Sequence, residues 1–163
     1  DMSRILSMNE TYIKTINEKD LFKLFKEYVS KYKKPFDASK DAILTKCVGF
    51  LKNKAKTLED IFNNAQYIIN EEIKIGVEDQ KLLDNQSKLI IKDFISDFEK
   101  LSSLNKENLE PLIKSLIEKH NTNFKGVGQP LRIGLTGSRF GPGLYDVILS
   151  LDKTEVIKRL SKI

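Results

Sequence analysis

The sequence predicts an all-α protein. Apolar residues recur at three- and four-residue spacing along most of its 163 positions, and few stretches alternate apolar with polar. Short polar residues able to cap a helix stand ahead of many of these stripes. No repeat, heptad run or low-complexity tract competes with that pattern, and a chain of many amphipathic helices folds by packing helix on helix.

The first segment, Ser3 to Ile16, carries Ile5, Leu6, Met8, Tyr12, Ile13 and Ile16 at helical spacing. Asn17 can cap a second helix with Leu21, Leu24, Phe25, Tyr28 and Val29 on one face. That helix stops before Pro35, because the residue preceding a proline is pushed out of the helical region. Asp37 or Ser39 can start a third, striped by Ile43, Leu44, Cys47, Val48 and Leu51, with Cys47 as a small core residue. Thr57 and Asp60 have the spacing of a capping box for a fourth. Phe62, Ala65, Tyr67, Ile68 and Ile69 follow. The polar stretch from Glu71 to Gly76 reads as a join, giving two helical subdomains, 1–75 and 76–163.

In the second subdomain, Glu78 and Asp79 begin a short helix. Ser87 is a candidate cap for a longer one striped by Ile90, Ile91, Phe94, Ile95, Phe98 and Leu101. Asn105 or Asn108 caps the next; Asn108 would place Pro111 in the first turn, where a proline costs little. His120 closes that helix and is expected to be a weak C-terminal cap rather than a catalyst. Asp152 and Glu155 suggest a second capping box, leading into a last helix from Val156 to Lys162.

Residues Lys125 to Ile148 hold six of the eight glycines and two of the four prolines. Pro130 suits the first turn of a helix, and Gly137 its left-handed end. Gly141-Pro142-Gly143 then makes a tight turn before a stripe at Leu144, Val147, Ile148 and Leu151. Arg132 and Arg139 flank the entrance to that loop. Bare backbone N–H groups and guanidinium forks can bind an anion or a base edge. A plain connecting corner with two solvated arginines fits the same residues.

Composition sets outer limits. Charged residues make up 31% and hydrophobic ones 40%, ordinary for a soluble globular chain. No apolar run approaches the ~20 residues that span a bilayer, and no signal peptide pattern opens the chain. Cys47 is the only cysteine, so a reducing cytoplasm is the expected setting, and with His120 as the only histidine no metal site is expected. The net charge of +5 is uneven. Residues 1–60 carry 13 basic and 9 acidic groups, residues 61–124 carry 8 and 11, and residues 125–163 carry 7 and 3. Eight lysines and two acids lie between Lys31 and Lys56. Basic ends around an acidic middle suit a polyanionic partner, although a lysine-rich chain can scatter its charge this way.

One order of motifs is specific. Pro130-Leu131-Arg132, Leu135-Thr136-Gly137-Ser138, Pro142-Gly143-Leu144-Tyr145-Asp146 and Val156-Ile157-Lys158-Arg159-Leu160 stand in that order along the chain. Together they resemble the C-terminal end of bacterial glutamyl-tRNA synthetases. Ser7-Met8-Asn9-Glu10-Thr11-Tyr12-Ile13 is similar to the family's Trp-Met-Asn-Gly-x-Tyr-Ile motif, with Ser7 for Trp and Glu10 for Gly. Lys54-Ala55-Lys56-Thr57-Leu58 is similar to its Arg-x-Lys-Thr-Leu corner, with Lys54 where the family has an anticodon-reading arginine; lysine keeps the charge and loses the planar fork.

The resemblance implies a two-subdomain helical cage that binds an anticodon, with residues 1–13 ending the stem-contact region. It implies an aminoacyl-tRNA synthetase, a ligase of protein biosynthesis that attaches glutamate to tRNA(Glu) using ATP and Mg²⁺. It leaves open whether tRNA(Gln) is charged too. Arg132 and the loop of Gly141, Pro142, Gly143 and Leu144 would meet the first two anticodon bases, and Lys54 the third; Leu144 and Tyr145 would offer an apolar or stacking surface, and Arg139 completes the anticodon-binding set. His-Ile-Gly-His-like and Lys-Met-Ser-Lys-Ser-like signatures are missing, so this chain is expected to be a non-catalytic, cofactor-free, monomeric and cytoplasmic module without a membrane partner. Two alternatives stay open: a helical protein-interaction scaffold, or a general RNA-binding module. A helix-turn-helix DNA binder fits less well, because residues 144–151 offer few polar base readers.

Overall fold

The computed structural model describes residues 10–163. Among them all regular structure is helical. They divide into two compact units, one ending at Glu71 and the other running Glu72–Ile163.

In the first unit, α1 spans Glu10–Thr15 and α2 spans Glu18–Tyr32. Asn17 caps α2, its side chain accepting from the Asp20 N–H at 2.9 Å. A single 3-10 turn, Ala38–Lys40, leads into α3, Asp41–Leu51, and Asp37 caps that turn through the Ser39 N–H. α4 spans Leu58–Asn64 and α5 spans Gln66–Ile69. α2 packs on α3 and α4, burying Leu21, Phe25 and Val29 against Leu44, Cys47, Val48 and Ile61. Removing such side chains from water, at roughly 1.5–3 kcal/mol each, outweighs the weak propensity of helices this short. The Ser7-Met8-Asn9 part of the first motif lies outside the described residues.

The second unit is built around α9. Its helices are α6 (Val77–Gln80), α7 (Asn85–Glu99), α8 (Lys106–Lys119), α9 (Phe124–Thr136), α10 (Leu144–Ser150) and α11 (Lys153–Leu160). α9 packs against α7, α8, α10 and α11, so its residues Val127, Leu131, Ile133 and Leu135 are fully buried.

Three boundaries differ from the sequence reading, and at a fourth one of its two candidates, Asn105, is the cap. Asp84, not Ser87, caps α7; Ser87 is buried and donates its hydroxyl to the Leu82 carbonyl instead. Asn105 caps α8, so Pro111 sits inside that helix, beyond its first turn. α9 starts at Phe124 under an Asn123 cap, which places Pro130 mid-helix, and α11 starts at Lys153 rather than Val156. Gly126 lies in the first turn of α9, where a Cβ would stand 1.9 Å from Thr122 Oγ1. At α11 only half of the expected capping box forms. Asp152 accepts from the Glu155 N–H, while the Glu155 carboxylate turns to Arg159 Nε at 2.9 Å.

Candidate nucleic-acid interface

The C-terminal end of α9 shapes the site. Gly137 ends the helix at φ +85°, a conformation that costs other L-residues about 1–2 kcal/mol. A Cβ there would also stand 2.4 Å from the Lys74 carbonyl oxygen. The turn throws residues 138–143 back toward the side of α9 that bears Arg132. Thr136 Oγ1 donates to the Arg132 carbonyl at 2.9 Å and accepts from the Ser138 N–H at 3.2 Å. Ser138 Oγ in turn accepts from the Phe140 N–H at 3.0 Å.

Arg132 and Arg139 therefore meet. Arg132 Nη1 donates to the Arg139 carbonyl at 3.1 Å. Arg132 Nε is buried and has no hydrogen-bond partner. Burial lowers the guanidinium's pKa from its ordinary value, as expected when a charge leaves water. A buried donor left without a partner costs roughly 1–3 kcal/mol. Arg139 is anchored differently: its N–H and Nε lie 3.4 and 3.6 Å from Asp79 Oδ1 on α6.

A groove of about 560 Å³ opens beside these two arginines. Leu82, Phe124, Lys125, Gly128, Gln129 and Phe140 complete its lining. It combines guanidinium groups, an amide and aromatic rings. Such a surface suits an unstacked base with its negatively charged backbone.

The remaining loop residues take different roles. Leu144 is 2% exposed and belongs to the core, so its side chain cannot form the apolar surface expected from the sequence. Gly141 opens the turn at φ +123° and Gly143 is the N-cap of α10 without a side-chain cap. Pro142 joins them. The Tyr145 ring lies 6.0 Å from that of Phe124, with Lys106 Nζ 5.6 Å from its centroid. Burial, and secondarily Glu110, raises the Tyr145 hydroxyl's pKa. Beneath the site, buried Arg159 donates from Nη1 to the Leu135 carbonyl at 2.8 Å and so satisfies the end of α9.

Lys54 belongs to the first unit. It is exposed, between α3 and the capping box of α4. There Asp60 N–H donates to Thr57 Oγ1 at 3.1 Å, and Asp60 Oδ2 accepts from Lys56 N–H at 2.9 Å and Thr57 N–H at 3.2 Å. Ala55 beside it is buried. The lysine thus projects from a fixed corner. Several neighbours in the lysine run have structural partners: Lys31 pairs with Glu27, Lys33 with Glu59, and Lys52 with the Lys14 and Ile16 carbonyls.

Sequence reasoning missed Asp79, Phe124, Gln129 and Phe140. Phe140 alone carried a local signal, as a large apolar residue in a glycine-rich turn.

Fold and groove define an all-helical binding module. The chain belongs to the anticodon-binding domain family, whose sequence profile matches residues 20–163. It is 56% identical to the glutamate–tRNA ligase of Pelagibacter ubique over 160 residues, covering 98% of this chain and 34% of that protein. A glutamate–tRNA ligase of Bartonella tribocorum is 26% identical across 99% of this chain and 35% of its own length. The chain thus spans about a third of the curated relatives it matches. A crystal structure of the glutamate tRNA ligase from Elizabethkingia meningosepticum, in complex with its amino acid, superposes with a TM-score of 0.76. It covers 94% of this chain and 30% of that one at 21% identity, a likeness of fold.

Proposed function

We propose that this chain is the anticodon-binding part of a glutamate–tRNA ligase and recognises the anticodon of tRNA(Glu). The whole enzyme would attach glutamate to that tRNA at the expense of ATP, with Mg²⁺, in the cytoplasm and as a monomer. ATP and Mg²⁺ belong to other parts of the protein. Arg132 and the loop 141–144 take the first two anticodon bases, and Lys54 the third, with Arg139 and Tyr145 beside them. Leu144 contributes there through its backbone only.

Arg132 supports the reading most strongly, because its half-buried guanidinium lines a groove beside Arg139, an amide and aromatic rings. A charge-assisted contact there is worth roughly 1.5–3 kcal/mol. Arg132→Ala should therefore weaken binding of a tRNA(Glu) anticodon stem-loop about ten- to a hundredfold. Arg132→Lys should recover only part of the loss, since a single ammonium cannot reproduce the fork. A folded Ala variant that binds the stem-loop as tightly as wild type removes Arg132 from the site.

A further inference from the structure

We propose that Phe140 is a stacking platform for one unstacked RNA base, supplying affinity without sequence discrimination. The inference rests on reading the groove as the anticodon site. Phe140 is 71% exposed, yet its backbone is fixed. Its N–H is held by Ser138 Oγ, the Ser138 N–H by Thr136 Oγ1, and the Arg139 N–H by Asp79. The loop therefore loses little freedom when a base arrives.

The ring is also backed on one side. The Arg139 guanidinium carbon lies 5.0 Å from the Phe140 centroid, and Asp79 keeps the guanidinium in place. A cation on one face of the ring leaves the other face for a base. The Phe124 ring in the same groove is already in contact with Tyr145. Every base has a π-face, so stacking on Phe140 is indifferent to base identity, whereas a guanidinium fork distinguishes polar edges. The two residues thus divide the labour: Arg132 reads, and Phe140 holds.

The test measures affinity of the chain for the tRNA(Glu) anticodon stem-loop and for the same stem-loop with its anticodon bases replaced, at low salt. Phe140→Ala and Phe140→Leu should weaken both RNAs by the same factor, about five- to a hundredfold. Phe140→Trp should restore wild-type affinity. Leu binding as tightly as Phe, or loss confined to one RNA, overturns the proposal. If Ala fails to fold, the comparison of Leu with Trp decides it. Wild-type chain that binds neither RNA defeats the functional reading and this inference together; wild-type binding with an indifferent Phe140→Ala defeats this inference alone.

Discussion

Gly137→Ala is the sharpest test of how the site is shaped. Alanine at φ +85° incurs the left-handed penalty of about 1–2 kcal/mol. Its Cβ would stand 2.4 Å from the Lys74 carbonyl oxygen, a backbone atom that cannot rotate away. Relief of such overpacking costs typically ~1–3 kcal/mol. Reduced freedom in the unfolded chain returns about 0.4–1 kcal/mol. The net expectation is roughly 1–4.5 kcal/mol of destabilisation, read by urea unfolding followed with far-UV circular dichroism. Gly141→Ala is the control. It also has positive φ, at +123°, but no atom lies within 4 Å of the added Cβ. It should lose only the backbone component, roughly 1–3 kcal/mol. A Gly137→Ala variant within about 0.5 kcal/mol of wild type, the scale of ordinary surface substitutions, would refute the argument.

Other changes probe each unit. Thr57→Ala removes the cap of α4 and should cost about 0.5–2 kcal/mol in the same assay, while also loosening the corner that carries Lys54. Asp93 accepts from Lys119 Nζ at 2.9 Å and His120 Nε2 at 2.7 Å, contacts that hold its pKa below the ordinary carboxylate value. The unfolded state therefore takes up this proton first as pH falls. The stability is present above the unfolded pKa and is lost below about pH 4, as the folded pKa is passed. Asp93→Asn should lower the melting temperature at neutral pH and bring it level with wild type in acid; a constant difference across that range would contradict the pairing.

Local chemistry made much of the fold legible. The Asn17 cap, the Thr57–Asp60 box and the left-handed Gly137 each depend on neighbours within a few residues. Cap identity failed at α7, where Asp84 stands one turn ahead of Ser87 and caps the helix while Ser87 is buried. Pro130 misled because a proline suits a first turn, whereas α9 starts earlier, under the Asn123 cap. In the site, Arg132 and Arg139 stood out by position in a glycine-rich stretch. Asp79 did not, since it reaches Arg139 across 60 residues of chain. Leu144 could have faced water or core, and packing of α10 on α9 chose the core.

The central claim is that this chain reads an anticodon. The most direct measurement compares its affinity for a tRNA(Glu) anticodon stem-loop with that for the same stem-loop carrying one changed base at a time, at fixed salt. Each change at a position read by Arg132 should weaken binding by about 1–3 kcal/mol, borrowing the scale of side-chain-to-base pairing in DNA. Arg132→Ala should abolish that preference. Equal affinity for every anticodon, with binding that only falls as salt rises, would mark a general polyanion surface and contradict the account.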